Sequence, residues 1–312
     1  MPDTSIEILQ TGKLLASCEA ALAERYTVHK LHEQADPDAW LAANGARIRA
    51  HAGSGVGADL MDALPNLEII ASFGVGYDNI DTAAARARNI RVTNTPNVLN
   101  DAVAELTIGL MIALARRIPQ ADRYVRGGRW PGRSMPLFTE LTGKTVGILG
   151  LGRIGKEIAL RAQAMKMRVV YHGRRRQPAE PHVFYENLVE MARDSDWLVV
   201  IAPGGKGTER IVSRDVLEAL GPEGMLVNVA RGTLIDEPAM LDLLRNGGLG
   251  GAALDVFENE PDVPEGFLAL DNVVLSPHQG SATVQTRDAM GALLVANLEA
   301  HFAGEPLISA VV

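Results

Sequence analysis

Apolar residues fall in short runs along this chain, and stretches with helical spacing lie between many of them. The runs "IEILQ", "YTVHKL", "ARIRAHA", "LEIIASFG" and "IRVTNTP" predict strands, with a helical pattern around residues 13–25 and helices at "ADLMDAL" and "DTAAARARN". Short apolar strands alternating with helices predict parallel sheets covered by helices. From Asp101 to Arg117 the spacing turns helical in "DAVAELTIGLMIALARR", whose closing arginines oppose the helix dipole. An irregular stretch follows, "GGRWPGRSMPLFTELTGK". After it "TVGIL", "RVVYHG", "WLVVIAP", "GMLVNVA", "GAALDVF" and "NVVLSPH" predict at least six strands in about 135 residues, the rhythm of a doubly wound dinucleotide-binding domain. Past Ser281 a last helix is predicted from Val284 to Phe302, with no strand after it to extend the second sheet; its expected place is back against the first domain.

Composition narrows the function classes. The 312 residues suit two domains of about 150 each. A net charge of −8 argues against a nucleic-acid or anionic-membrane partner. The one cysteine, Cys18, allows no internal disulfide and no cysteine zinc site, and is expected to be a buried, inert thiol. The N-terminus is acidic near its start and does not read as a signal peptide, and no apolar stretch has the length of a membrane span, so a cytoplasmic protein with no membrane partner and no bound metal is expected.

The run "TVGILGLGRIGKEIA" is either a nucleotide cradle or a glycine-rich turn in a core. Gly150, Gly152 and Gly155 form G-x-G-x-x-G between a strand and a helix, with the next strand in place at "RVVY", and this context favours the cradle. The amides at the helix start, including Arg153 and Ile154, would meet the pyrophosphate. The second strand ends "VVYHGRRR", without the acidic residue that would bond the ribose hydroxyls of NAD. A guanidinium pairs with a 2′-phosphate where a carboxylate would repel it, so NADP(H) is the expected cofactor, with Arg174 and Arg175 as contacts. NAD(H) and a plain solvated basic turn are the alternatives.

Three polar residues follow later strands of the same domain, where ligands of open α/β sheets bind. Arg231 follows "LVNVA", Glu260 lies in "LDVFENEP", and His278 ends "VVLSPH". A cation to hold a carboxylate and polarise a carbonyl, an imidazole to give a proton and a carboxylate to orient it suffice for carbonyl reduction. Singly, each has a dull alternative as an ion pair, a turn histidine or a solvated loop carboxylate; the case rests on the three together.

The runs "VNVARGTLIDEPAMLDLL", "GAALDVFENEP" and "SPHQGSAT", with "SFGVGYDNID", "NTPNVLNDAVAELTIGLMIALAR" and the glycine loop, resemble the D-isomer-specific 2-hydroxyacid dehydrogenases over nearly the whole chain. The fold so implied is α/β, with two doubly wound parallel-sheet domains and an interdomain cleft. A flavodoxin-like substrate domain would take residues 1–98 plus 284–312, and a Rossmann cofactor domain residues 99–283. The resemblance gives Arg231 the substrate, His278 the acid–base role and Glu260 the place of its partner. It puts Asp255 near the nicotinamide carboxamide and Thr107 beside the cofactor, and adds Pro203, Thr208, Ala230 and Gly280 to the cofactor contacts. The backbone amides of Val75 and Gly76 would hold the substrate carboxylate; glycines at 74 and 76 are read as exposing them in an anion nest. A homodimer built through the cofactor domain is implied, with Trp130 offered to the neighbouring subunit's substrate pocket; an aromatic there also suits plain interface packing.

Two stretches depart from the family pattern. After "WLVVIA" many members continue Pro-Leu-Thr-Pro-Glu-Thr, whereas this chain reads "PGGKGTER", keeping Pro203 and Thr208 and placing Lys206 near the expected adenine ribose. Gln279 takes a position that is often apolar. The expected activity is NADPH-dependent reduction of a small 2-oxo acid, glyoxylate or hydroxypyruvate, to a D-2-hydroxy acid. A bulkier acid of the phenylpyruvate or 2-ketogluconate type is the alternative. Formate oxidation is disfavoured by Glu260, where such enzymes carry Gln, and a phosphoglycerate dehydrogenase with a regulatory domain is disfavoured by length. The rival from another class is a dinucleotide-sensing interaction protein.

Overall fold

The computed structural model describes residues 5–312. The chain divides into two compact units, one running to Leu99 and resumed by Ser281–Val312, the other comprising Asn100–Gly280.

In the first unit five parallel strands, β1 (Glu7–Gln10), β2 (Thr27–Lys30), β3 (Ile48–Gly53), β4 (Ile69–Ser72) and β5 (Arg91–Thr93), are ordered β2-β1-β3-β4-β5. Successive strand residues feed opposite faces, as the pleat requires, except that a register irregularity between Ile48 and Ala50 in β3 sends those two to opposite sides. Ile8, Ala50, Ile69 and Ala71 pack with Leu294 and Leu298 of the helix Val284–Phe302 on one side. Leu9, Ile48, Ile70 and Val92 pack with Met61, Leu64 and Ala85 on the other. The final helix thus completes a core begun by the first residues of the chain. It approaches Cys18 so closely that a Cβ on Gly291 would stand 2.8 Å from that of Cys18. Burial pushes the Cys18 thiol up to about 11, so it is inert at neutral pH. Beyond the helix the tail returns to β5, where the Val311 amide donates to the Val92 carbonyl at 2.7 Å.

The second unit holds seven parallel strands: β6 (Thr145–Leu149), β7 (Arg168–His172), β8 (Val183–Tyr185), β9 (Trp197–Val200), β10 (Met225–Asn228), β11 (Gly251–Leu254) and β12 (Val273–Leu275). Their order is β12-β11-β10-β9-β6-β7-β8, so the winding reverses between β6 and β9. Ligands of such sheets bind at the carboxyl ends of the strands beside that reversal. Strand β8 has no counterpart among the sequence-predicted strands. Its three residues follow "RRRQPAEP", which carries no strand period. The helices Pro37–Asn44 and Ile118–Arg126 were also not anticipated, although Asp36 caps the first by accepting from the Ala39 amide at 3.0 Å.

His51 lies fully buried in β3, its Nε2 2.8 Å from Thr11 Oγ1 and its Nδ1 without a partner among the described residues. Burial pushes the imidazole down to about 4. The unfolded chain, titrating near 6.5, takes up the proton first as the pH falls. Stability is therefore whole above about pH 6.5 and is lost progressively towards pH 4, by about 3 kcal/mol in all. Denaturant midpoints across this range should fall more steeply for the wild type than for His51→Leu; parallel slopes would refute the assignment.

Candidate active site

Strand β6 runs out at Leu149 into Gly150, whose φ of +103° only glycine adopts without strain. A Cβ there would also lie 2.8 Å from the Ala202 backbone at the end of β9, and one on Gly155 would stand 2.3 Å from the Gly150 carbonyl oxygen. At Gly152, by contrast, a Cβ would meet nothing within 4 Å. The first and third glycines close the turn against the sheet and the helix, while the second leaves open space before the helix Arg153–Ala164. The first amides of that helix, those of Arg153 and Ile154 among them, have no acceptor inside it. Open space in front of free amides at a positive helix end fits a dinucleotide pyrophosphate.

At the end of β7 no carboxylate appears. Arg174, Arg175 and Arg176 are exposed, and no hydrogen bond or ion pair engages their side chains among the described residues. Gln177 anchors the far end of this basic loop. Its side chain donates to the Leu151 carbonyl at 2.6 Å, and its amide donates to the Tyr171 hydroxyl at 2.7 Å. The segment that departs from the family pattern is a closed turn in which the Thr208 hydroxyl donates to the carbonyls of Pro203 at 2.8 Å and Gly205 at 3.1 Å, with Lys206 exposed. Thr107 is fully buried in the helix Asn100–Arg116 and donates to the Val103 carbonyl of its own helix at 2.7 Å.

The polar trio is assembled on the ends of β10, β11 and β12. Asn228, the last residue of β10, clamps the turn that follows: its side chain donates to the Arg231 carbonyl at 2.8 Å and accepts from the Ala230 amide at 3.1 Å. The half-buried Arg231 guanidinium donates to the Ala230 carbonyl at 2.7 Å. Glu260 is held at both oxygens. Oε1 accepts from the Phe257 amide at 3.0 Å, and Oε2 lies 2.6 Å from His278 Nδ1. A carboxylate only accepts, so Nδ1 carries a proton and Nε2 is the atom left for a ligand. His278 is 48 % exposed at its side chain, so a ligand can reach it.

His278 has a φ of +51°, in the left-handed region that a residue with a Cβ enters at a cost of about 1–3 kcal/mol. Asp255, 1 % exposed, imposes that turn. Its carboxylate accepts from the Ser276 hydroxyl at 2.6 Å and from the amides of Gln279 at 2.7 Å and Gly280 at 2.8 Å, while its carbonyl accepts from the His278 amide at 2.8 Å. The resemblance placed Asp255 by the nicotinamide carboxamide. Within the described residues its carboxylate serves the segment that carries His278. Sequence reading missed both this role and that of Asn228. A polar residue ending the apolar run "MLVN" was the available signal for Asn228.

Val75 and Gly76 belong to the first unit, just past β4. Both are half-buried, and their amides donate to no acceptor among the described residues. The nest reading needs correction in its backbone: neither Gly74 nor Gly76 has a positive φ, so the free amides come from an open turn braced by Asn94, whose side chain donates to the Val75 carbonyl at 2.9 Å. Trp130 stands 67 % exposed in the short turn Trp130–Gly132.

Comparison with known proteins identifies the family. Residues 108–280 match the family model described as D-isomer specific 2-hydroxyacid dehydrogenase, NAD binding domain. The chain is 46 % identical to hydroxyphenylpyruvate reductase of Plectranthus scutellarioides and 46 % identical to glyoxylate/hydroxypyruvate reductase A of Arabidopsis thaliana, with 99 % of each chain covered in both cases. Among solved structures, the NADPH-dependent glyoxylate/hydroxypyruvate reductase of Sinorhizobium meliloti, in complex with NADP and malonate, is similar with a TM-score of 0.94 at 44 % identity, covering 98 % of this chain and 97 % of that one. The chain therefore belongs to the D-isomer specific 2-hydroxyacid dehydrogenase family.

Proposed function

We propose that this chain reduces small 2-oxo acids, glyoxylate and hydroxypyruvate foremost, to D-2-hydroxy acids with NADPH. The observation that carries the reading is the His278–Glu260 pair at 2.6 Å, which leaves Nε2 free to give a proton. A reduced dinucleotide held by its pyrophosphate on the glycine loop would supply the hydride. As the carbonyl carbon accepts it, His278 passes its Nε2 proton to the carbonyl oxygen, and the acid gains two hydrogens in all. Glu260 keeps the ring oriented and offsets the imidazolium charge before transfer. Arg231 holds the carboxylate of the acid and draws electron density from its carbonyl. The free amides of Val75 and Gly76, in the first unit, are suited to an anion such as a carboxylate.

Preference for NADPH is supported by the three unpaired arginines at the end of β7, where a carboxylate would otherwise sit. It is also in keeping with the NADP-bound relative. The exposed apolar side chains of Trp130, Leu137 and Phe138 support a homodimer as the working unit, with Trp130 offered to the partner's site. A bulkier 2-oxo acid is the second reading, favoured by the 46 % identity to a hydroxyphenylpyruvate reductase.

Loss of absorbance at 340 nm with glyoxylate, hydroxypyruvate, hydroxyphenylpyruvate and 2-ketogluconate, each with NADPH and NADH, separates these readings. The highest kcat/KM is expected with NADPH and one of the two small acids. Oxidation of neither cofactor with any acid would overturn the enzyme reading itself. In the Arg174→Ala/Arg175→Ala variant the NADPH-to-NADH ratio of kcat/KM should fall by about 10- to 100-fold, as expected when charge-assisted bonds worth roughly 1.5–3 kcal/mol are lost. An unchanged ratio would place the 2′-phosphate elsewhere. For His278→Asn, a residue that tolerates the left-handed backbone, kcat should drop by about 10²–10⁴ with the thermal midpoint nearly unchanged. An undiminished kcat would remove His278 from the mechanism.

A further inference from the structure

The peptide between Phe257 and Glu258 lies at the junction of the polar trio. A Cβ on Gly232 would stand 1.9 Å from the Phe257 carbonyl carbon and 2.1 Å from the Glu258 nitrogen, so the turn that follows Arg231 rests directly on this peptide. Both amides of the segment are taken by carboxylates from different parts of the chain. Phe257 N–H donates to Glu260 Oε1 at 3.0 Å, and Glu258 N–H donates to Glu237 Oε1 at 2.8 Å. Glu237 has no place in the mechanism above, yet it is 6 % exposed.

Burial of an acidic side chain calls for a reason, because removing a carboxylate from water costs several kcal/mol unless hydrogen bonds offset it. Desolvation pushes the Glu237 carboxyl upward, and the nearby Glu258 and Glu260 carboxylates add to the rise. Arg210 faces this group of acids as well, 3.4 Å from Glu258. Helix capping does not explain Glu237. It opens the helix Glu237–Asn246, but the cap is Asp236, which accepts from the Ala239 amide at 3.1 Å. Glu237 spends its Oε1 instead on the loop that ends in Glu260.

We propose that Glu237 is a positioning residue which, by holding the Glu258 amide, fixes the turn after Arg231 against the segment carrying Glu260 and so aims Glu260 at His278 Nδ1. The inference rests on the acid–base reading given under the proposed function. Without this bond the Phe257–Glu258 peptide is free to tilt, and the Phe257 amide that fixes the other Glu260 oxygen tilts with it. Glu260 then loses its orientation, while Asn228 still clamps the Arg231 turn and the glycine loop is untouched. The deficit belongs in proton transfer and leaves ligand binding intact.

The variants Glu237→Ala and Glu237→Gln distinguish this from a structural role. In Glu237→Ala, kcat with NADPH and glyoxylate should fall by about 10- to 100-fold, with both KM values within about twofold. Glu237→Gln, whose amide oxygen still accepts from Glu258 N–H, should recover most of the loss. A second readout needs neither cofactor nor substrate: the downfield proton resonance of the His278–Glu260 hydrogen bond, assigned by its loss in Glu260→Gln. It should broaden or shift in Glu237→Ala and persist in Glu237→Gln. Wild-type kcat and an unmoved resonance in Glu237→Ala would overturn the proposal. So would equal losses in both variants matched by a drop in thermal midpoint, which would make Glu237 a folding residue. If the wild type oxidised no cofactor with any 2-oxo acid, the proposed function would fail separately, and the resonance would still decide whether Glu237 orders the pair.

Discussion

The site depends on the grip of one buried carboxylate on one short segment. Asp255 takes the Ser276 hydroxyl and the Gln279 and Gly280 amides, and its own carbonyl takes the His278 amide. Charge-assisted bonds of this kind are about twice as strong as neutral ones, enough to hold His278 in a left-handed turn. That turn brings Nδ1 to 2.6 Å from Glu260, and the bond decides which ring nitrogen remains for chemistry. Remove the grip, and an extended backbone at 278 would carry the ring elsewhere. The strain at His278 and the burial of Asp255 are two sides of one arrangement, each costly alone.

Sheet order gives this arrangement its place. Arg231, the segment bearing Glu260, and His278 follow β10, β11 and β12, which are neighbours at one side of the seven-stranded sheet. The glycine loop follows β6 and the arginines follow β7, on the other side of the winding reversal. With strands about 4.8 Å apart, the glycine loop and the Arg231 turn lie two spacings, about 10 Å, from one another along the sheet edge. On the proposed reading, an extended dinucleotide laid along that edge would meet the arginines after β7, the glycine loop after β6 and the polar trio after β10 to β12, in that order. Hydrophobic burial in the strands fixes these distances, and the loops only supply the chemistry.

Legibility in the sequence followed the range of the interaction involved. Strand β6, the glycine loop and the helix after it are one local unit whose pattern, turn residues and period agree, so the loop and its place between strand and helix were readable. The strands carrying Arg231, Glu260 and His278 were readable for the same reason. What escaped depends on contacts distant in the chain. The donors to Asp255 lie across a strand crossover, the Glu258 bond to Glu237 joins a loop beyond β11 to a helix start, and the tail bonds β5 from the far end of the chain. The free amides of Val75 and Gly76 were anticipated for the wrong backbone reason, because glycine permits a left-handed turn without requiring one.

Net charge and local charge point in opposite directions, and on the proposed reading the local term outweighs the net one. A chain of net −8 repels an anionic cofactor at long range, but at physiological salt that field decays over about 8 Å. Three exposed arginines on an anchored loop act well inside that distance. The loop is local to β7, so the choice of dinucleotide can change without disturbing the trio on β10 to β12. Two relatives, each 46 % identical to this chain across 99 % of it, are named for different acids, so overall identity alone does not fix the acid.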